Sequence, residues 1–170
     1  MHSTQNAIGS WALLVSDALS EAAAEAAQLP ERSVAALVLV ANRPGSSVDW
    51  LSRRLGLTQS GAVRLVDRLM DAGLLRREKH QGHKEVFLHV TASGEDRLRR
   101  GLQARAAAIR ALLDELPEDE QEQLGALIGK ALARQGRRRD EADAVCRLCD
   151  WQACTPVCPV DASVVEASRS

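Results

Sequence analysis

All four cysteines of this 170-residue chain fall in one short run near its end, VCRLCDWQACTPVCPV. Cys146, Cys149, Cys154 and Cys158 are spaced C-x2-C-x4-C-x3-C. Two thiolates separated by two residues can point at a common centre, and the second pair completes a tetrahedral four-sulfur set. A closed zinc site is therefore the first expectation. The ending C-x3-C-P also resembles the ligand runs that hold iron–sulfur clusters, and that is the alternative cofactor. Thiol–disulfide switching without metal is the third reading. Pro156 and Pro159 restrict the loop and reduce the entropy lost on closing it, and Trp151, between the second and third cysteines, is expected to cover it. Such a site either staples the tail or acts as a sensor.

A second chemistry lies in Ser46 to Gly94, SSVDWLSRRLGLTQSGAVRLVDRLMDAGLLRREKHQGHKEVFLHVTASG. Ser47 is an N-cap candidate, and Val48, Leu51 and Leu55 form the apolar stripe of a two-turn helix. Gly56 stops that helix. Thr58 caps the next, whose first turn is Gln59, Ser60 and Gly61 and whose buried face is Ala62, Leu65, Val66 and Leu69. Arg64 and Arg68 stand one turn apart on another face, where they can reach bases or phosphates. Gly73 ends this second helix. Leu74 to Arg77 and Val86 to Val90 then read as the strands of a hairpin around a polar, basic turn. Two helices, a hairpin and a further helix make a winged helix-turn-helix, whose second helix is built for the major groove. From Ser47 to Val90 eight Lys or Arg stand against five Asp or Glu, a net charge of +3, whereas the whole chain carries −1. Basicity is concentrated where DNA would lie.

The run LSRRLGLTQSGAVRLVDRLMDAGLLRRE, with VTASG after the hairpin, resembles the MarR family of bacterial transcription regulators, and the similarity extends through most of residues 8 to 135. That resemblance implies a mainly helical homodimer, most often a repressor, with a recognition helix from about Thr58 to Ala72 and a wing between about Arg76 and Val90. It also implies regulation by a small-molecule or redox effector. The family's wing usually carries an aspartate near its tip and an arginine two residues later. Here those positions hold Gly82 and Lys84. Lysine neutralises a phosphate but lacks the fork that grips minor-groove edges, so specificity should rest on the helix. Gln59, Ser60 and Arg64, with Thr58 at the helix start, are the candidates for base-edge or nearby phosphate contacts. Arg68, Lys79 and Lys84 are the candidates for backbone contacts. His80, His83 and His89 read as polar loop and strand residues, and Trp50 as packing.

The flanking segments must position this unit. Ile8, Trp11, Val15, Leu19 and Ala22 or Ala23 recur at helical spacing before Pro30. A helix over about 31–43 is apolar nearly all round and should be buried. After the wing, Thr91 can cap a long helix with a stripe at Leu98, Leu102, Ala106, Ile109, Leu113 and Leu116. Pro117 opens another, with Leu124, Leu127, Ile128, Ala131 and Leu132 on its apolar face. The terminal helices carry more apolar surface than one small domain covers, so they should dimerise. A two-fold dimer sets its recognition helices roughly 34 Å apart and calls for a palindromic operator. The arginines of the long helix, Arg97 to Arg110, read as a solvated face at least as well as phosphate contacts.

The fold class expected is mainly α with a small β-hairpin wing: dimerisation and support helices over 1–46, the winged domain over 47–92, C-terminal dimerisation helices over 93–135, and a cysteine-rich metal-binding tail over 136–170. With one Phe, three Trp and no Tyr, the core must be Leu, Val and Ala. No apolar run approaches the roughly 18 residues of a membrane span, and the first ten residues do not read as a secretion signal. A cytoplasmic protein is expected. No nucleophile–base arrangement, phosphate-binding glycine loop or paired-carboxylate site points to an enzyme. The function expected is a homodimeric, DNA-binding transcriptional regulator. The alternative is a metal-dependent protein–protein interaction module that keeps the fold without binding specific DNA.

Overall fold

The computed structural model describes residues 2–79, 86–154 and 157–165. Helix α1, His2–Ala27, leads into α2, Glu31–Asn42, which is buried on all sides from Ser33 to Val40. The short helix α3, Val48–Arg54, and the longer α4, Gln59–Asp71, follow, then strands β1, Leu75–Lys79, and β2, Val86–Val90. Helices α5, Ala92–Leu113, and α6, Glu118–Ala133, complete the main body. This is a mainly helical chain with one two-stranded antiparallel hairpin, the winged helix architecture expected.

Side-chain oxygens set the helix starts. Ser47 Oγ accepts the Trp50 N–H, Thr58 Oγ1 the Gly61 N–H and Thr91 Oγ1 the Gly94 N–H, each at 3.1 Å. Each satisfies one free amide of a first turn. Between α3 and α4 the chain reverses at Gly56, whose φ of +60° costs an L side chain but not glycine. The wing pairs Leu75 with Val90 through Lys79 with Val86. Ser46 adds a bridge to Leu88 on the other side, a third short piece of sheet that the sequence pattern did not announce.

The core lies where α2 meets α3, α4, the hairpin and α5: Leu37, Leu39, Leu51, Val66, Leu69 and Leu88 are sealed from solvent. Trp50 joins it as packing. At Gly94 a Cβ would fall 2.2 Å from the Leu74 carbonyl oxygen, so only glycine lets α5 start against the hairpin. Helix α5 ends at Leu113 and leaves Leu116 outside, because Pro117 disfavours helical backbone just before it. Helix α6 buries none of its residues, and Ile8, Leu13 and Leu14 of α1 and Leu127 and Ile128 of α6 are all exposed. Among the described residues no helix is long and apolar enough to cross a membrane.

The tail folds back onto this body. It forms α7, Arg139–Val145, α8, Trp151–Cys154, and a 3-10 turn at Asp161–Ser163. A parallel bridge ties Arg137 to Val164, and Arg137 Nη1 donates to Leu132 O at 2.7 Å and to Ser163 Oγ at 2.9 Å. Leu148 is buried with Ala23, Ala27, Val34 and Ala35 of α1 and α2, so the tail is docked on the helical body.

Candidate nucleic-acid interface and cysteine cavity

The first turn of α4 stands clear of the protein. Thr58, Gln59, Ser60, Arg64 and Arg68 are all exposed, while Ala62, Leu65, Val66 and Leu69 hold the opposite face in the core. Thr58 spends its hydroxyl on the cap and lies 3.3 Å from Ser60 Oγ. Arg64 and Arg68 line one open hollow with Gly56, Leu57, Thr58 and Gly61, and Arg32 from the first turn of α2 joins them. Sequence reasoning missed Arg32, since it lies outside the helix-turn-helix and only the packing of α2 brings it there.

Ion pairing separates these three arginines from their neighbours. Arg53 pairs with Asp49 at 2.8 Å, Arg76 with Glu78 at 2.8 Å and Arg77 with Asp67 at 2.8 Å. Among the described residues Arg32, Arg64 and Arg68 make no such pair. Three guanidinium groups beside the positive end of a helix form a cradle for an anion. On α5, Arg97 instead binds Ala27 O and Gln28 Oε1, and Arg99 and Arg100 pair with Asp96, as a structural and solvated face does. Lys79 ends β1. Lys84, like Gly82, His80 and His83, lies outside the described residues.

The tail places all four cysteines on one cavity of about 180 Å³, together with Arg139, Ala142, Asp143, Trp151, Val160 and Asp161. None is in a disulfide. Among the described residues no three Cys, His, Asp or Glu side chains converge into a metal-ligand set as they stand. Donation from the Cys146 thiol pulls the Cys149 sulfur down to about 6, with Arg105 and Arg147 adding positive charge against the opposing effect of burial. Cys146 is pushed up by that same hydrogen bond and then by burial. Burial first, then the negative charge of its sulfur neighbours, raises Cys154. Trp151 lines the cavity, and its Nε1 donates to Cys146 O at 2.9 Å.

One wall of the cavity reaches the helix-turn-helix. Asp143 Oδ2 accepts Arg54 Nε at 2.7 Å, with the two side chains 4% and 7% exposed. Arg54 also lies over the Trp50 ring at 4.0 Å and donates through Nη1 to Trp50 O at 3.2 Å. Nothing local marks Arg54 for this role, because a cation at the end of a helix is favoured there in any case.

Comparison with known proteins places the winged part of the chain. Residues 27–84 match the MarR family. No curated protein matches the chain. Among solved structures, the multiple antibiotic-resistance repressor MarR of Listeria monocytogenes has a TM-score of 0.62 at 25% identity, covering 76% of this chain and 90% of that one. RV1404 of Mycobacterium tuberculosis reaches 0.70 at 21% identity, with 81% and 95% covered. A Mycobacterium tuberculosis MarR family protein in complex with p-aminosalicylic acid gives 0.58 at 22% identity, with 77% and 97% covered. Over residues 27–84 the chain is thus similar to the MarR family, and its winged helix-turn-helix fold is the one these solved structures share.

Proposed function

We propose that the protein is a homodimeric, cytoplasmic DNA-binding repressor that reads a palindromic operator with α4. The observation that carries this reading is the contrast in pairing: among the described residues Arg32, Arg64 and Arg68 make no ion pair around an exposed helix start, while Arg53, Arg76 and Arg77 are each held by a carboxylate. Gln59, Ser60 and Arg64 face base edges or the nearest phosphates, and Arg68, Lys79 and Lys84 take the backbone. The exposed apolar residues of α1 and α6 are the surface a second copy would cover. A hollow of about 520 Å³ between α2, α5 and α8, lined by Ala41, Leu98, Leu102 and Trp151 among others, offers room for a small effector.

The four cysteines are proposed to hold a metal ion, zinc in the first place. Four soft donors on one small cavity suit zinc, and bringing the four thiols together would give it a closed tetrahedral shell. Metal content and the absorbance spectrum of protein purified without oxygen decide the cofactor. One zinc per chain without colour supports the proposal, and a broad brown band replaces it by an iron–sulfur cluster.

DNA binding is tested by titrating a labelled duplex from the region upstream of the protein's own reading frame, at graded salt. A saturable complex that outcompetes random duplex, with affinity falling steeply as salt rises, is expected. No complex at low salt with metal-replete protein would overturn the reading in favour of a protein–protein module.

A further inference from the structure

We propose that metal at the cysteine cavity fixes α3 of the helix-turn-helix through the buried Arg54–Asp143 pair, so that occupancy of the tail sets affinity for DNA. This rests on the metal reading given above and adds the path by which the metal is felt. Three observations carry it.

First, the tail is too slight to hold its own shape. Helices α7 and α8 have seven and four residues, and the local core is Ala142, Cys146 and Val160. Helices that short do not persist alone in water, and a core that small usually needs a staple. A tetrahedral thiolate site would supply one by joining α7, α8 and the turn after Cys158.

Second, the partner of Arg54 belongs to the cavity. Asp143 lines it, three residues before Cys146, which ends α7. A relay of charge runs along the same wall: Arg139 Nη1 lies 3.9 Å from Asp143 and 2.7 Å from Asp161, and the Asp161 N–H points to Cys158 Sγ at 3.5 Å. Drawing Cys146 and Cys158 towards one centre therefore braces Asp143 from both sides.

Third, Arg54 is the last residue of α3 and abuts the Gly56 turn from which α4 departs. If the tail loosens, Arg54 is left buried without its carboxylate and must move to reach water. Trp50, which it covers, and the turn beneath α4 move with it. Coordination itself is simple in balance: each sulfur that still carries a proton passes it to solvent as it bonds the ion, and nothing is oxidised.

The test uses the full chain in reducing, oxygen-free buffer, stripped with a chelator and titrated with zinc ion alone. One zinc per chain, slower amide exchange over residues 50–55 and a gain in duplex affinity of at least about fivefold are expected, the lower end of typical coupling between sites. Arg54→Lys should still take one zinc while losing both the gain and the slowed exchange. Cys158→Ser should lose all three. Zinc uptake by the wild type with no change in exchange or affinity overturns the linkage and leaves the metal site standing. The linkage falls equally if Arg54→Lys keeps the full gain. Failure of the reduced protein to take up zinc overturns the metal reading and this inference with it. Slowed exchange in a protein that binds no DNA supports the linkage and overturns only the DNA reading. Should Arg54→Lys not fold, Asp143→Asn replaces it, and the wild-type exchange measurement needs no variant.

Discussion

The winged domain and the cysteine tail solve the same problem with different means. The domain closes a core of Leu and Val residues from α2, α3, α4, the hairpin and α5. The tail's own cluster is Ala142, Cys146 and Val160, beside four thiols and a set of ion pairs, while its Leu148 is buried against α1 and α2. A contiguous core drawn from several elements can offset the conformational entropy of folding, whereas a segment this small depends on staples or on its neighbour. The difference teaches where control can be exercised. A core of Leu and Val has no chemical handle, but sulfur and charge respond to metal, oxidant and pH.

The sharpest way to break this comparison is at the seam. Asp143→Ala leaves Arg54 buried and unpaired, and should lower stability by about 3–5 kcal/mol, as removal of one partner of a buried pair does. Urea unfolding of the whole chain checks it. A loss under about 1 kcal/mol would mean that the tail hangs on the domain without supporting it. Inside the domain, Leu37→Ala should cost about 2–5 kcal/mol in the same assay by opening a cavity in the sealed core. The matching change in the tail, Val160→Ala, removes about two methylenes' worth of burial and should cost about 1–2 kcal/mol. Its main readout is faster proteolysis after residue 136, since local opening needs less than global unfolding. Equal effects of the two core changes on the main transition would erase the distinction between the regions.

How far the sequence told this story follows the same division. The helix-turn-helix was legible because its signals are local: Ser47, Thr58 and Thr91 each cap the third residue onward, and Gly56 sits at a positive φ. The exposed start of α4 followed from the same periodicity. Contacts between distant residues left no such trace. The Ser46–Leu88 bridge, Arg32 beside Arg64, and Arg54 on Asp143, 89 positions away, all arise from packing. The cysteine spacing suggested a ready tetrahedron, and its members do share a cavity, but among the described residues no three of them converge as a ligand set. Spacing tells which sulfurs share a loop, while the distance between them depends on how α7, α8 and the following turn pack.

On the DNA-facing side the expected effects are smaller and separable. Arg64→Ala should cost about 1–3 kcal/mol on the preferred duplex and relax sequence preference. Arg32→Ala and Arg68→Ala should weaken preferred and random duplexes alike, each lowering the slope of log affinity against log salt by about 0.9. Anisotropy titrations at several salt concentrations distinguish the two patterns. If all three variants lose equally on both duplexes, the hollow is a plain phosphate cradle, and base reading must be sought at Gln59 and Ser60.

The finest test sits on one hydroxyl. Thr58 belongs both to the fold, as the cap of α4, and to the proposed interface, at its exposed start. Thr58→Ala should cost about 1 kcal/mol of stability, the usual worth of an N-cap. Thr58→Asp should cost close to nothing, because aspartate caps as well as threonine and its charge suits the positive end of the helix. That same charge would stand against phosphate beside Arg32, Arg64 and Arg68, so DNA binding should fall although the fold is intact. Thermal unfolding and duplex titration of the two variants therefore move in opposite orders: alanine the less stable, aspartate the weaker binder. If both variants rank the same way in both assays, the start of α4 does not face DNA, and its free arginines need another partner.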